Sequence, residues 1–346
     1  MILVTGGAGF FGIHLTRRLL AAGRRVRILD TAEIEDEEIE GAVEYVRADV
    51  RDARAVAEAC QDVEVAFHNA ALVPLARAGK GYKDTNVAGT RNVLDACSQA
   101  KVRKVVHIST SSVYGVPAKL PIDESTRLTP WGRYGKSKYQ AEQLCQAYKQ
   151  KGMDISMIRP RTILGPGRLG ILQVLFDWVR RGRRFYIIGS GNNRFQLVSA
   201  RDLADACYLV SSKDCFQEDF NIGAEQFATL RTDLEGLAKH AATGTRIVSI
   251  HPGIARPCLK VVDWLRLSPF VDYHYHILDR DVYFDVTKAR QMLGWTPADS
   301  NLGMLTETYD WYLQNFRELD SRTGQTHRRS VKQGWFLRWL GRYSGR

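Results

Sequence analysis

Residues 2–12 read Ile-Leu-Val-Thr-Gly-Gly-Ala-Gly-Phe-Phe-Gly, a short apolar run followed by glycines at positions 6, 9 and 12. The run Ile2–Val4 predicts a buried strand, and Phe11–Ala22 predicts the helix that follows it. A glycine turn between strand and helix lets the backbone approach a pyrophosphate, whose charge then lies at the helix N-terminus. This stretch therefore predicts a dinucleotide-binding turn.

An acidic residue follows the glycine turn at the distance where a ribose would lie. Asp30 ends the next apolar run, Val26–Leu29, about 20 residues beyond the glycines. A carboxylate at this place would hold the 2′-hydroxyl of an adenosine ribose and would repel a 2′-phosphate. The sequence therefore favours NAD over NADP as the dinucleotide.

The bulk composition is that of a globular protein without a membrane span. The 346 residues are enough for one two-lobed unit or two domains. Of these residues, 45% are hydrophobic and 25% charged, which is ordinary for a globular protein. No basic and apolar leader precedes the first strand, and no apolar run reaches the roughly 18 residues that cross a bilayer. The six cysteines are scattered without a CxxC pair, which indicates reduced thiols and no structural zinc. We therefore expect a cytoplasmic protein.

The net charge is concentrated at the C-terminus. The chain carries a net charge of +11, and residues 322–346 supply seven basic residues and no acid, which leaves +4 for residues 1–321. This distribution does not indicate a nucleic-acid-binding face. Trp335, Trp339 and Tyr343 are spaced four residues apart, with arginines at the edge of this stripe. Residues 331–343 could contact an anionic membrane surface, or pack on this chain or on a partner subunit.

The first half of the chain alternates strand-like and helix-like segments. Six strands are predicted, at Ile2–Val4, Val26–Asp30, Val43–Arg47, Val63–His68, Lys104–Ser109 and Ile155–Arg159. Helices are predicted between them, at Gly12–Ala22, Ala53–Cys60, Val87–Ala100 and Tyr134–Lys151. This order predicts an α/β fold of the Rossmann type with a doubly wound parallel sheet. Ligands on such sheets bind at the carboxyl ends of the strands, where we find Asp30, Ala70, Thr110 and Pro160.

The alternation fades after about residue 165, where Gly165-Pro166-Gly167 interrupts it. We expect residues 1–165 to form an NAD-binding Rossmann domain and residues 166–320 to form mainly a smaller substrate-binding lobe, followed by the basic aromatic tail 321–346. Helices are predicted at Gly170–Arg181 and Asp202–Ser211. The second of these would return to the main sheet, within a segment at about 195–212.

Two polar motifs follow the strands of the first half. Tyr134 and Lys138 are four residues apart on a predicted helix and therefore share a face. A nearby ammonium lowers the pKa of a phenol, so Tyr134 could exchange a proton near neutral pH. Ser109-Thr110-Ser111-Ser112 stands just beyond a strand, where a hydroxyl could donate to a substrate oxygen. Each motif also fits a plain surface pair or polar turn, and their combination is what indicates catalysis.

With these motifs the chain resembles the extended short-chain dehydrogenase/reductases, and within them the NAD-dependent epimerase/dehydratase group. The matching motifs occur in order over residues 1–312: Thr5-Gly6-x-x-Gly9-x-x-Gly12, Asp49-Val50-Arg51-Asp52, His68-Asn69-Ala70-Ala71, Asn86-Val87-x-Gly89-Thr90, Ser109-Thr110-x-x-Val113-Tyr114-Gly115, Tyr134-Gly135-x-Ser137-Lys138, Arg159-Pro160 with Gly165-Pro166-Gly167, and Leu293-Gly294-Trp295-x-Pro297. Each motif is modest alone, and the ordered set is specific. The stretch 283–289 also resembles the 3β-hydroxysteroid dehydrogenase branch.

The resemblance implies a cofactor site and a catalytic triad. The cofactor would be NAD, and the residues along it would be Gly6, Gly9, Phe10, Phe11, Gly12, Asp30, Asp49, Val50, Ala70, Ala71, Asn86, Tyr134, Lys138 and Pro160. Thr110, Tyr134 and Lys138 would be the catalytic residues, with Ser111 as a less favoured substitute for Thr110. The resemblance also implies a homodimer, formed through helices such as Val87–Ala100 and Tyr134–Lys151.

The resemblance further implies hydride transfer from a hydroxylated substrate. Tyr134 would take the proton of the hydroxyl while the carbon beneath gives a hydride to NAD. The resulting ketone could be reduced on its other face (an epimerase), lose water (a dehydratase) or leave (a steroid-type dehydrogenase). The usual substrates of the group are nucleotide-diphosphate sugars, and Ser111-Ser112 in place of the Asp-Glu common in dehydratases favours an epimerase. A lipid or steroid-like hydroxyl is the alternative, and a non-enzymatic NAD-binding scaffold is disfavoured because the triad is complete.

Several positions depart from the pattern of the sugar-nucleotide enzymes. Thr162 replaces the usual Asn of Arg-Pro-x-Asn, and Phe195 stands where an arginine often grips the diphosphate, with Arg194 displaced by one. Arginine forks suit phosphate, so we expect Arg161 and Arg194 to contact substrate, together with Ser111 and Thr162.

No metal is expected. The eight histidines show no metal-ligand spacing. His274 and His276 alternate in a Tyr-His-Tyr-His run, and we expect them to pack or to contact substrate instead of binding a metal.

Overall fold

The main sheet has seven parallel strands. The computed structural model describes residues 1–74, 78–169, 171–264 and 277–319. Its strands are β1 (Ile2–Thr5), β2 (Val26–Asp30), β3 (Glu44–Arg47), β4 (Val65–His68), β5 (Lys104–Ile108), β6 (Ile155–Pro160), β7 (Thr162–Leu164), β8 (Phe185–Ile188), β9 (Leu197–Ser199), β10 (Phe220–Ile222) and β11 (Ile247–Ile250). The main sheet has the order β10-β6-β5-β4-β1-β2-β3, and each of its pairs is parallel. The predicted Rossmann-type sheet is therefore confirmed.

Helices cover both faces of this sheet. In chain order they are α1 (Phe10–Ala21), α2 (Glu37–Glu40), α3 (Ala53–Ala59), α4 (Thr90–Gln99), α5 (Gly132–Gln150), α6 (Ile171–Arg180), α7 (Ala200–Ser212), α8 (Leu230–Ala241), α9 (Pro252–Trp264), α10 (Thr287–Leu293) and α11 (Asn301–Leu319), with a π-helical turn at Lys83–Gly89 and a 3₁₀ turn at Ser111–Tyr114. α1 and α7 share a hydrophobic core with one face of the sheet. α3, α4 and α5 share a second core with the other face.

The burial of β1 shows why short apolar runs predict these strands well. All four residues of β1 are buried, with Ile2 and Val4 in one core and Leu3 in the other. A parallel strand covered by helices on both faces needs an unbroken apolar run. Predicted and observed ends of β1–β6 accordingly differ by at most two residues.

The second lobe begins where β6 ends. β7 pairs with β9, and β8 pairs with β11, both in parallel. α6, α8 and α11 enclose a separate core that includes Phe176, Leu237 and Tyr309. Because β7 follows β6 after a single residue, this lobe starts at the carboxyl edge of the main sheet.

Two later segments return to the main sheet. α7 packs on α1, and the Arg18 guanidinium stacks on the Tyr208 ring at 4.0 Å from its centroid. β10 pairs with β6 at the edge of the sheet. The sequence analysis did not predict β10, because three residues with a buried Asn221 in the middle carry no periodic signal.

The described residues also bear on membrane and metal binding. Within them, no helix is long and apolar enough to cross a bilayer. They contain no cluster of three or more histidine, cysteine or acidic side chains that could hold a metal. The aromatic stripe of the tail 321–346, and His274 and His276, lie outside the described residues.

Candidate active site

The glycine turn joins β1 to α1, and its backbone is packed too closely for side chains at several positions. Gly6 adopts a φ of +69°, which residues with a side chain rarely adopt. A side chain on Gly12 would put Cβ 2.2 Å from the Gly6 carbonyl oxygen. Gly9 precedes α1, and no side chain caps the amides of its first turn. These features fit a pyrophosphate held by backbone amides, with Phe10 and Phe11 in that first turn.

Asp30 lies at the carboxyl end of β2, beside the glycine turn. Its Oδ2 accepts a hydrogen bond from the Ala8 amide at 3.0 Å, and its Oδ1 accepts one from the Ala32 amide at 3.0 Å. The carboxylate is half-buried and fixed in direction by these two bonds. It therefore lies where a ribose beside the turn would meet it, and its ribose contact stays a prediction.

Asp49 and Val50 follow β3 at the same edge. The Arg51 side chain donates to both oxygens of Asp49, and this pairing lowers the pKa of the carboxyl. Val50 is buried against Gly89, where an added Cβ would come within 2.7 Å of Val50 Cγ2. The Val50 carbonyl also accepts from Asn92 Nδ2 at 3.0 Å. The π-helical turn and the start of α4 thus hold Val50, and the adenine contact of Asp49 and Val50 stays a prediction.

Ala70 and Ala71 leave β4 next to the glycine turn. A side chain on Gly6 would come within 2.7 Å of the Ala70 amide nitrogen, so the two segments are in close contact. Asn86, in the π-helical turn, is buried, and its Oδ1 accepts from the Leu72 amide at 2.7 Å. Its Nδ2 donates to the Leu72 carbonyl and to Ser137 Oγ at 3.1 and 3.0 Å. Asn86 therefore braces the chain after β4 against α5.

The first turn of α5 brings the predicted catalytic residues to one edge. Gly135 lies against the 3₁₀ turn after β5, so closely that a side chain there would come within 2.9 Å of the Ser112 carbonyl oxygen. Tyr134 is half-buried at this contact, and its ring meets the Tyr82 ring edge-on, with 6.2 Å between centroids. Thr110 and Ser111 begin the 3₁₀ turn and are also half-buried. All three side chains thus lie near the carboxyl end of β5.

Lys138 is buried one turn further along α5. Its Nζ donates to the Ile108 carbonyl at 2.7 Å and lies 3.3 Å from His107 Nε2. Burial lowers its pKa from 10.5 to about 8, because the charged form loses its contact with water. A further hydrogen-bond acceptor from a ligand, such as a ribose hydroxyl, would reduce the free-energy cost of keeping this cation buried.

The sequence matches the profile of the NAD dependent epimerase/dehydratase family over residues 2–223, more than half of the chain. The chain belongs to this family. Its cofactor is NAD, and the uncapped start of α1, the glycines without room for a side chain and Asp30 together fit that dinucleotide.

Relatives of this epimerase/dehydratase span almost the whole chain. Uncharacterized protein y4nG of Sinorhizobium fredii is 39% identical over 332 residues, covering 96% of this chain and 83% of that protein. A putative UDP-glucose 4-epimerase of Methanocaldococcus jannaschii is 29% identical over 330 residues, covering 92% of this chain and 100% of that protein. A crystal structure of a DesIV double mutant, a dTDP-glucose 4,6-dehydratase from Streptomyces venezuelae with NAD and DAU bound, is 26% identical. It aligns with a TM-score of 0.77 over 93% of this chain and 99% of that one.

Two buried histidines, His68 and His107, lie near Lys138; the sequence analysis quoted His68 only within a family motif and did not mention His107. His68 bridges two hydroxyls, with Nδ1 2.8 Å from Thr5 Oγ1 and Nε2 2.9 Å from Thr90 Oγ1. Its ring lies 5.2 Å from that of His107. Burial lowers the pKa of His68 to about 3 and that of His107 well below its ordinary value, so both are neutral at pH 7. The sequence signal for these buried residues was a histidine within an otherwise apolar predicted strand.

A buried ion pair fixes α5 to β6. Arg159 donates to Glu142 through Nε at 3.0 Å and through Nη2 at 2.8 Å. Ser109 Oγ donates to the same carboxylate, and Arg159 Nη1 donates to the Tyr114 hydroxyl. Burial opposes the charge of Arg159, but Glu142 outweighs it and raises the pKa of the guanidinium. Because Glu142 follows Lys138 by one turn, this pair fixes the position of α5, the helix that carries Tyr134 and Lys138.

Arg161 and Thr162 lie where β6 passes into β7, next to the buried Pro160. The Arg161 side chain is buried, and its Nε donates to the Gln196 carbonyl at 3.2 Å. Its guanidinium lies 5.3 Å from the centroid of Phe195, the residue that stands where an arginine often grips the diphosphate. Thr162 is half-buried at the start of β7.

Arg194 is exposed and lies against two neighbouring aromatic rings. Its guanidinium carbon lies 4.7 Å from the Phe227 centroid and 4.4 Å from the Tyr283 centroid. The two rings attract the cation through their faces, and the exposed guanidinium keeps N–H donors toward solvent. Arg194 is therefore suited to an anionic ligand, while its substrate contact stays a prediction.

Proposed function

We propose that this protein is an NAD-dependent epimerase that acts on a nucleotide-diphosphate sugar through Tyr134, Lys138 and Thr110. The close packing of Gly135 on the Ser112 carbonyl carries the proposal, because it supports a joint role for Tyr134 on α5 and Thr110 after β5. The family membership and the putative UDP-glucose 4-epimerase among the relatives support the choice of substrate.

In this mechanism the phenolic oxygen of Tyr134 exchanges a proton with the substrate hydroxyl. Thr110 Oγ1 donates a hydrogen bond to the same substrate oxygen as it becomes a carbonyl. Lys138, on the same helix face, supplies a positive charge that favours the phenolate form of Tyr134. NAD, when bound, supplies the hydride acceptor.

The residues after Thr110 support epimerisation over dehydration. Loss of water needs an acid and a base that reach the sugar carbons. Ser111 and Ser112 offer hydroxyls there, and the Glu142 carboxylate is already committed to Arg159. A ketone held by hydroxyl donors alone is therefore expected to be reduced again.

The diphosphate would be held by the second lobe, residues 166–320, while residues 1–165 bind NAD. Arg194 offers an exposed guanidinium held against two rings, and Arg161 lies just before the lobe. Ser111 and Thr162 would donate to sugar hydroxyls. Binding through the nucleotide leaves the sugar free to turn between its two oxidation steps.

A lipid or steroid-like hydroxyl is the second candidate substrate. The stretch 283–289 resembles the steroid dehydrogenase branch, and Tyr283 forms a ring pair with Phe227 at 5.6 Å. Such an aromatic wall would also suit an apolar ring system. Hydroxysteroids therefore belong in the substrate screen.

The test begins with the purified protein. Bound NAD is identified by absorbance after denaturation, and UDP-, dTDP- and GDP-sugars are screened against hydroxysteroids. Epimer formation without net NADH release would support the proposal. Steady NADH production from a hydroxysteroid would overturn it in favour of the second candidate.

Tyr134→Phe should lower turnover by at least about 100-fold, because general acid–base catalysis contributes about that much or more. Tyr139→Phe is the matched control on the same helix, since the Tyr139 hydroxyl makes no hydrogen bond within the described ranges. NAD binding should survive both changes. Unchanged turnover in Tyr134→Phe would refute the catalytic assignment.

We also propose that the enzyme is a homodimer that pairs through α4 and α5, which can be tested by light scattering of the purified protein.

For the tail, we propose peripheral contact of residues 331–343 with an anionic membrane. Truncation after Asp320 should then keep activity and abolish liposome binding, whereas loss of folding would favour packing of the tail on protein.

A further inference from the structure

The buried ammonium of Lys138 is held by two neutral acceptors. Its Nζ donates to the Ile108 carbonyl at 2.7 Å and lies 3.3 Å from His107 Nε2. In the part of the chain that the structure describes, these two acceptors are its hydrogen-bond partners, and the Glu142 carboxylate one turn further on is paired with Arg159. An ammonium has three N–H donors, so the protein directs two of them and the third remains for a ligand.

The contact with Lys138 decides which ring nitrogen of His107 carries the proton. A protonated Lys138 can only donate, so Nε2 must be the nitrogen that accepts, and the proton of the neutral ring is then on Nδ1. His107 Nδ1 is buried and has no hydrogen-bond partner among the described residues. A buried N–H without a partner is unfavourable, so the contact with Lys138 is what favours this tautomer.

His68, on the neighbouring strand β4, requires the opposite tautomer. Thr90 Oγ1 donates its one proton to the Asn86 carbonyl at 2.8 Å, so it can only accept from His68 Nε2, 2.9 Å away. Thr5 Oγ1 then donates to His68 Nδ1 at 2.8 Å. The proton of His68 is therefore on Nε2, whatever the charge of Lys138.

Resting on the role proposed for Lys138 beside NAD, we propose that His107 is a positioning residue that directs the Lys138 ammonium by accepting a hydrogen bond at Nε2. The lysine side chain has a flexible four-carbon stem, so a single acceptor would leave the ammonium free to turn. With His107 and the Ile108 carbonyl both in place, the remaining N–H is aimed in one direction. The alternative is that the His107 ring only fills space beneath α5.

The first test reads the tautomers by NMR, from the nitrogen chemical shifts of the imidazole rings in the full-length, NAD-loaded protein at pH 7. We expect the Nδ1–H form at His107 and the Nε2–H form at His68, which serves as the control within the same sample. The His107 signals are those that disappear in His107→Gln. In Lys138→Met the donor is gone, so His107 should change toward the Nε2–H form while His68 stays as it is. An Nε2–H ring at His107 in the wild type, or an unchanged ring in Lys138→Met, would overturn the inference.

The second test measures the Kd for NAD in two variants of His107. His107→Leu removes the acceptor, and the Kd should rise roughly 3- to 10-fold, the effect of one hydrogen bond. His107→Gln returns an acceptor, because its side-chain oxygen reaches about as far as Nε2, and should restore most of the affinity. Equal weakening in both variants would assign His107 a packing role and overturn the inference. If His107→Leu does not fold, His107→Phe keeps a ring without an acceptor, and the same rise is expected.

These measurements separate the inference from the proposed function. The tautomers and the Kd for NAD need no sugar substrate, so the inference can fail while epimer formation stands. Conversely, a wild type that converts no sugar nucleotide would overturn the proposed function, and the same two tests would still show whether His107 positions Lys138.

Discussion

Replacing Glu142 with leucine leaves the Arg159 guanidinium buried without its main partner. The pair is bidentate, with donor–acceptor distances of 2.8, 3.0 and 3.2 Å, and the two side chains are 3% and 6% exposed. Breaking a buried pair of this kind costs about 3–5 kcal/mol. Asp219 Oδ2, 3.8 Å from Arg159 Nη2, retains part of the attraction. We therefore expect the lower end, about 3 kcal/mol.

Urea unfolding followed by circular dichroism measures this difference, and a thermal scan should show a lower Tm by about 4 °C. Glu58→Leu is the control, because Glu58 pairs with Arg54 on the surface of α3, where the side chains are 61% and 89% exposed. Loss of that exposed pair should change the free energy of unfolding by less than about 0.5 kcal/mol.

The double variant Glu142→Leu/Arg159→Met separates the buried charge from the lost contact. With both ions gone, apolar side chains of similar volume should recover most of the stability. A single variant as stable as the wild type, or a double variant no more stable than the single, would refute this reasoning.

Three further perturbations test the cofactor side of the site. Gly12→Ala puts a methyl group 2.2 Å from the Gly6 carbonyl oxygen. It should therefore destabilise the protein by about 1–3 kcal/mol and weaken NAD binding. An unchanged Kd for NAD in a fluorescence titration would contradict this expectation. Asp30→Asn removes the charge that repels a 2′-phosphate, so the preference for NAD over NADP should narrow by about tenfold in Kd, and a preserved preference would count against the ribose assignment. Lys138 has a pKa of about 8 in the folded protein against 10.5 in the unfolded chain. Between pH 8 and pH 10.5 the unfolded chain therefore binds more protons than the folded protein, and the free energy of unfolding increases as the pH rises. Urea unfolding at pH 7.5 and pH 10 should show this gain in the wild type, and Lys138→Met should lack it.

The glycine turn and the helix with Tyr134 and Lys138 could be predicted from the sequence because both depend on neighbouring residues. β1, the turn and α1 form one continuous stretch, and Tyr134 and Lys138 share a face of α5 by spacing alone. The strands of the first half are equally local, since each is an apolar run between turns. These local patterns were sufficient to predict the fold class.

The interior of the site could not be predicted in this way, because it is made of contacts between distant segments. The partner of Arg159 is on α5, 17 residues away, and the rings around Arg194 come from positions 227 and 283. His107 meets Lys138 only when α5 packs on β5. A single sequence shows such residues as isolated polar positions, without the partners that give them a role.

The return of α7 to α1 and of β10 to β6 has a consequence for protein engineering. A chimaera that exchanges everything after residue 165 for the corresponding part of a relative would also exchange one helix and one strand that complete the NAD-binding half. The recipient would then lose the Arg18–Tyr208 stacking and the edge partner of β6. A chimaera with a new specificity should therefore keep residues 200–212 and 220–222 of the recipient and take only the segments around them from the donor.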